Sequence, residues 1–128
     1  MRFGYTIVYV SDVAASLDFF ERAFGLPRRF LHESGGYGEL ETGATTLSFA
    51  QHEVARSNLG HDYLAAGASG SPLGMEVGLV TDDVQAAYDR AVKAGAEALS
   101  APVQKPWGQT VAYVRCPDGT LVELCTAM

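Results

Sequence analysis

Glu123 is the residue whose type and place most call for a chemical reason. It stands in PDGTLVEL, Pro117 to Leu124, where Pro-Asp-Gly-Thr has the composition of a turn and Leu-Val-Glu-Leu that of a strand. A carboxylate between apolar strand neighbours binds a metal, contacts a ligand or faces water. Alternation places Leu121, Glu123 and Cys125 on one face and Val122 and Leu124 on the other, so Glu123 shares a partly enclosed face. Trp107, in KPWGQT, either packs at a loop or forms a flat wall that stacks on a planar ligand. The histidines are His32, His52 and His61. His52 follows a strand and could enter a site there as an acid or base, although a lone histidine at a strand end is usually solvated. Cys116 lies beside the turn and Cys125 about four residues up the partner strand. At roughly 3.3 Å per residue that is too far for a disulfide, and both are expected to be buried, reduced thiols. CxxC, Walker A, HExxH and complete GxGxxG patterns are absent.

The chain has 128 residues, 48% of them apolar, which is enough for one domain with one core. A formal charge of −6 argues against nucleic acid as a partner, since that requires a basic face. It mildly favours a cationic or neutral ligand, or serves solubility. No apolar run is long enough to cross a bilayer, and MRFGYTIVYV lacks the cleavage pattern of a secretory signal. The expected location is cytoplasmic.

The elements that must position Glu123 come from an internal repeat. YTIVYVSDVAASLDFFERAFG, Tyr5 to Gly25, resembles MEVGLVTDDVQAAYDRAVKAG, Met75 to Gly95. Each begins as a strand and turns an Asp-rich corner, Ser11-Asp12 or Thr81-Asp82-Asp83, suited to capping a helix. Helical spacing follows, Val13, Leu17, Phe20 and Phe24 in one half, Val84, Ala87, Ala91 and Ala94 in the other, and each helix closes at a glycine. Three strand candidates complete each half: RRFLHE, YGELET and TTLSFA, with SGGYG as a hairpin turn, then EALSAPVQ, QTVAYVRC and LVELCTA. Both halves therefore read βαβββ, within a single domain 1–128 made of module 1 (3–51), a linker (52–73) and module 2 (74–127). The linker is rich in Gly, Ala and Ser, carries at most one short helix, and is long enough to cover a site or permit strand exchange between subunits.

Two βαβββ units closed by PDGTLVEL resemble the vicinal oxygen chelate superfamily, the group of glyoxalase I, bleomycin-resistance proteins, fosfomycin-resistance enzymes and extradiol dioxygenases. The resemblance covers nearly the whole chain. It is most specific in VSDVAASLDFFERAFGL and WGQTVAYVRCPDGTLVEL, where Cys116 replaces the first Asp of the Asp-Pro-Asp-Gly form. It implies an α+β fold in which the two modules form a curved mixed sheet around a cavity, commonly completed in a homodimer. It also implies four cavity positions that bind metal in the metal-using members, usually His or Gln, Glu, His and Glu. Matched residue by residue, the first, third and fourth fall on Tyr5, Glu76 and Glu123. Laying TLSFA over ELCTA gives Thr46 for the second, with Thr45 or Leu47 at a one-step slip.

Hydroxyls of Tyr5 and Thr46 are poor metal ligands, none of the three histidines falls at a ligand position, and the 2-His-1-carboxylate set of a ring-cleaving dioxygenase is absent. Two carboxylates and two hydroxyls make only a weak cage for a hard cation. Glu76 beside Glu123 would instead form a carboxylate pair that holds a proton, acts as acid and base, or binds an ammonium or guanidinium group. Tyr5 is a core aromatic or a partner for such a carboxylate. Trp107 with Phe30, Tyr37 or Phe49 would line a pocket for an aromatic or amphipathic small molecule, and alternation leaves open whether Phe49 faces the helix instead. The expected function is metal-independent sequestration of a small cationic or aromatic molecule in the cavity of a homodimer, with no cofactor. The ligand-binding residues are then Tyr5, Thr46, Glu76, Trp107 and Glu123. A metal-dependent lyase, isomerase or dioxygenase with an atypical site is the alternative.

Overall fold

The structure is a computed structural model that describes all residues, 1–128. Module 1 runs β1 (Tyr5–Val10), α1 (Val13–Phe24), β2 (Arg28–Leu31), β3 (Tyr37–Leu40) and β4 (Thr46–Gln51). A connecting segment holds α2 (His52–Leu59) and a single 3-10 turn at Ala66–Ala68. Module 2 runs β5 (Val77–Val80), α3 (Val84–Ala94), β6 (Glu97–Gln104), β7 (Thr110–Arg115) and β8 (Leu121–Cys125). Each module is a four-stranded sheet, ordered β1-β4-β3-β2 or β5-β8-β7-β6. The first strand is parallel to the last in both modules, and the remaining pairs are antiparallel.

The repeat reflects the same local chemistry used twice. Asp12 accepts from the Ala15 N–H at 3.0 Å and Asp83 from the Ala86 N–H at 2.9 Å, each satisfying a free donor at a helix start. Gly25 (φ 70°) and Gly95 (φ 119°) end the helices in the left-handed region. On α1 the spacing of Val13, Leu17 and Phe20 becomes a buried stripe, extended by Phe19 and Ala23. On α3 only Val84 and Ala91 are fully buried.

The two sheets share no hydrogen-bonded strands and stay open. Both turn one face to the helices, and α1 and α3 pack on each other between the modules. One cluster joins Val8, Leu40, Leu47 and Phe49 of the first sheet to Ala112, Val114, Val122 and Leu124 of the second through Leu17, Phe20, Val84 and Ala91. Leu17 and Phe20 are fully buried, each contributing about 1.5–3 kcal/mol of hydrophobic stabilisation. The helix ends clasp each other. Arg90 of α3 donates to the Arg22 and Glu21 carbonyls at 2.9 and 3.3 Å, and Arg22 of α1 donates to the Ala94 carbonyl at 3.2 Å. Cationic donors on otherwise orphaned C-terminal carbonyls are favourable through both the hydrogen bond and the helix dipole.

The PDGT turn does more than reverse the chain. Asp118 accepts from the Ser16 hydroxyl of α1 at 2.8 Å, tying module 2 to module 1. Gly119, at φ 94°, lies so close to the Ala66 carbonyl and the Gly67 nitrogen that no side chain fits. Arg115 holds the same segment through the Ala66 and Ser69 carbonyls at 2.8 and 3.0 Å. Cys116 and Cys125 are free and buried.

Candidate functional site

The site is built on the sheet faces turned away from the helices. In module 2, Val122 and Leu124 of β8 point into the core, so Glu123 points the other way. Its partner on β5 is Gly78, and its partner on β7 is Tyr113. Val77 and Leu79 pack against the core, which leaves Glu76 and Gly78 on the face of Glu123. The Tyr113 hydroxyl donates to Glu123 Oε2 at 2.6 Å.

Glu76 and Glu123 interact on this face, and their carboxyls are moved in opposite directions. Partial burial, then the neighbouring Glu123, raises the Glu76 carboxyl above the ordinary 4.5. The hydrogen bond from Tyr113 holds Glu123 below it, against partial burial and helped by Cys125 and then Glu76. The same bond, with burial, pushes the Tyr113 phenol up to about 12. Burial and then Glu123 push the Cys125 thiol up to about 11, so it is a neutral wall of the site. Between the lowered titration of Glu123 and the raised titration of Glu76 the pair holds a single proton, with the Tyr113 phenol anchoring the ionised member.

In module 1 the corresponding face carries Tyr5, Ile7 and Tyr9 on β1, Thr46 and Ser48 on β4, and Tyr37 and Glu39 on β3. Here the carboxylate is already neutralised. Arg29 Nη2 donates to Glu39 Oε1 at 3.1 Å and to the Thr46 hydroxyl at 2.5 Å, and Tyr37 donates to Glu39 Oε2 at 2.8 Å. Arg29 also approaches Glu41 at 3.5 Å.

The strand register corrects one expected position. Tyr5 pairs with Thr46 and Ile7 with Ser48, whereas in module 2 it is Gly78, two residues after Glu76, that pairs with Glu123. If Tyr5 corresponds to Glu76, then Ile7 corresponds to Gly78, and the counterpart of Glu123 is Ser48, not Thr46. Laying TLSFA over ELCTA slipped by two residues, which preserves the face and so leaves no trace in alternation. Thr46 is on the right face but is covered and engaged by Arg29.

The structure brings Glu76 to Glu123 and Tyr5 to Thr46, and the two sets belong to different sheets with no hydrogen bond between them. Thr46 and Glu76 do border one cleft of about 360 Å³ where the modules meet. Trp107 is 62% exposed in the turn before β7, its indole N–H donating to Gln109 at 3.0 Å, and it joins neither set. Phe49 faces the helices, against Phe20 at 5.1 Å, and lines no open face. His52 is engaged by the Tyr63 hydroxyl at 2.5 Å. Tyr113, Arg29 and Glu39 were missed by sequence reasoning. Tyr113 had a usable signal, because equal steps outward from the PDGT turn set it opposite Glu123. Arg29 had none, because β2 reaches Glu39 through a bulged register.

The donor set does not fit the metal site of the metal-using relatives. No three His, Cys, Asp or Glu residues gather where they could share an ion, and the module 1 positions offer a phenol and an alcohol.

Paired βαβββ modules with outward open faces define a class of fold, and the comparisons give its family. The family model of the Glyoxalase/Bleomycin resistance protein/Dioxygenase superfamily matches residues 2–124, and the chain belongs to that superfamily. It is 26% identical over 117 residues to the uncharacterized protein YraH of Bacillus subtilis (strain 168), covering 90% of both chains. Among solved structures, a glyoxalase-related enzyme from Fulvimarina pelagi superposes with a TM-score of 0.83 at 18% identity, over 99% of this chain and 88% of that one. A glyoxalase/bleomycin resistance protein/dioxygenase family enzyme from Burkholderia phytofirmans PsJN gives 0.78 at 21% identity, over 98% of both. At these identities the likeness establishes the fold.

Proposed function

We propose that this protein binds a small organic cation with an aromatic or otherwise flat apolar body, without a metal, and acts by sequestering it. The observation that carries this reading is the Glu76–Glu123 pair. It is anchored by Tyr113 and takes part in none of the salt bridges of the chain. A carboxylate pair relieved of its shared proton accepts an ammonium group with far looser geometric demands than catalysis imposes. Tyr5, 55% exposed, and Ile7, also exposed, supply apolar surface on the other module. The module 2 face is open at Glu76 and Gly78, while on the module 1 face Tyr63 of the connecting segment lies against Tyr9 with ring centroids 4.9 Å apart and Tyr5 and Ile7 stay exposed. A second copy that laid that exposed part of its module 1 face over this module 2 face would enclose the ligand. Such a homodimer is part of the proposal.

The test is a matched set of probes with one body and three head groups: 2-phenylethylammonium, 2-phenylethanol and phenylacetate. Each is titrated calorimetrically in the presence of chelator, with the oligomeric state measured alongside. The ammonium probe is expected to bind most tightly and to lose about tenfold or more in Glu123→Gln, the scale of one charge-assisted hydrogen bond. Equal affinity for all three, or none for any, would sink the reading. Stoichiometric uptake of nickel, zinc, manganese or iron, lost in Glu123→Gln, would replace it with a metal-dependent lyase, isomerase or dioxygenase.

A further inference from the structure

We infer that Gly78 is the floor of the ammonium site and that its missing side chain restricts the cup to compact head groups bearing N–H donors. The inference rests on the cation-binding reading above and deepens it. Gly78 lies inside β5, directly opposite Glu123 and two residues beyond Glu76 on the same face. Glycine within a strand costs backbone entropy and removes a packing side chain, so its presence usually marks a conformational need or a close approach.

Neither need comes from this chain. Gly78 is not among the glycines with positive φ, so any residue could adopt its backbone conformation. A Cβ built on it meets no heavy atom within 4 Å. Other glycines contrast with this. At Gly38 a Cβ would lie 2.6 Å from Leu17, and at Gly119 it would meet the Ala66 backbone. Those two are required by the fold, whereas the space at Gly78 is left empty by it. That space is bordered by Glu76 along the strand and Glu123 across it, with the Tyr113 hydroxyl fixing the Glu123 carboxylate from the far side. A primary ammonium group suits the notch: it is narrow, and its three N–H donors can be divided between two carboxylates. A quaternary ammonium is broader and brings no N–H.

The experiment compares wild-type protein with Gly78→Ala and Gly78→Val, using 2-phenylethylammonium and its trimethylated analogue as probes. Calorimetry gives affinity, thermal unfolding gives stability, and sedimentation gives the oligomeric state. Both variants are expected to fold, with the valine variant as stable as wild type or more so, because a β-branched residue favours a strand. Binding of the primary amine is expected to weaken about tenfold in the alanine variant and further in the valine variant, the scale of a methyl group in a fitted site. Wild type is expected to prefer the primary amine to the trimethylated probe. Wild-type affinity retained in Gly78→Val, or a wild-type preference for the trimethylated probe, would overturn this inference and leave the parent reading standing. Loss of binding together with loss of the oligomer would assign the space to a second copy and overturn it too. No binding of either cation by wild type would remove the parent reading and this inference with it.

Discussion

Gly119→Ala puts the role of the PDGT turn at risk most directly. Two separate penalties apply at this position. The φ of 94° lies in the left-handed region, which costs a residue with a Cβ about 1–2 kcal/mol. The new Cβ would also collide with the Ala66 carbonyl and the Gly67 nitrogen, which are backbone atoms. They have little freedom to retreat, because Arg115 holds the Ala66 carbonyl at 2.8 Å and the Ser69 carbonyl at 3.0 Å. Forced overpacking of this kind adds about 1–3 kcal/mol. Gly43→Ala is the control. Gly43 has a similar φ of 87° but open space around its Cβ, so it carries the first penalty without the second. With about 2.1 cal/mol/K per residue of unfolding entropy, the control should lower Tm by roughly 4–7 °C and Gly119→Ala by roughly 10 °C or more. Scanning calorimetry on the two variants measures the difference. Equal Tm losses would show that the turn does not press on the linker, and the account of how module 2, the linker and α1 are held together would fail.

Four further outcomes follow from the site and the helix clasp. Glu76 has its carboxyl raised above 4.5 in the fold, so the stability it contributes is complete below that pH and is lost as pH rises through the raised value. Glu76→Gln should therefore match wild type in Tm near pH 4 and exceed it at pH 7 and above; a Tm difference independent of pH would contradict the shared-proton description. Glu123 has the opposite sign, its contribution being present above 4.5 and lost as pH falls, so Glu123→Gln should be destabilising at neutral pH. Tyr113→Phe removes the donor at 2.6 Å and should move the Glu123 carboxyl upward in a carbon-detected NMR titration; no movement would mean the phenol does not anchor it. Arg90→Ala removes the donors to the Arg22 and Glu21 carbonyls and should cost about 1–2 kcal/mol in urea unfolding, with the module sheets intact by circular dichroism.

The fold was legible in the sequence because its signals are local and occur twice. Asp12 and Asp83 cap, Gly25 and Gly95 stop, and strands of alternating pattern fill the intervals. The carboxylate pair was legible only through family resemblance, because Glu76 and Glu123 meet across a parallel pairing of strands far apart in the chain. Parallel register carries no turn from which to count, whereas an antiparallel hairpin does. That difference explains both outcomes: Tyr113 could have been counted from Gly119, and Ser48 could not have been told from Thr46. The contacts of Asp118 with Ser16 and of Gly119 with Ala66 lay beyond reach for another reason. They depend on how the linker returns over module 2, and a Gly, Ala and Ser-rich segment has no periodicity to announce its path.

The two halves of the repeat have kept one backbone and divided the chemistry. On the module 1 face Glu39 has a guanidinium and a phenol, so its charge is spent inside the protein. On the module 2 face Glu123 has a phenol, with the Cys125 thiol and the Glu76 carboxyl beside it and no cationic partner in a salt bridge. The lysine that acts on it, Lys105, forms no salt bridge to it. A charge compensated within the chain gives little to a ligand, since binding must first break its existing bonds. A charge held in place by neutral donors, beside a carboxyl that keeps its proton to a raised pH, can exchange that proton for a ligand cation. If so, binding of the ammonium probe in the acidic range where Glu76 still carries its proton must release protons, and the observed heat there must vary with the ionisation enthalpy of the buffer. Heat that is the same in buffers of different ionisation enthalpy would mean that no proton leaves. The carboxylate pair would then not be where the cation sits.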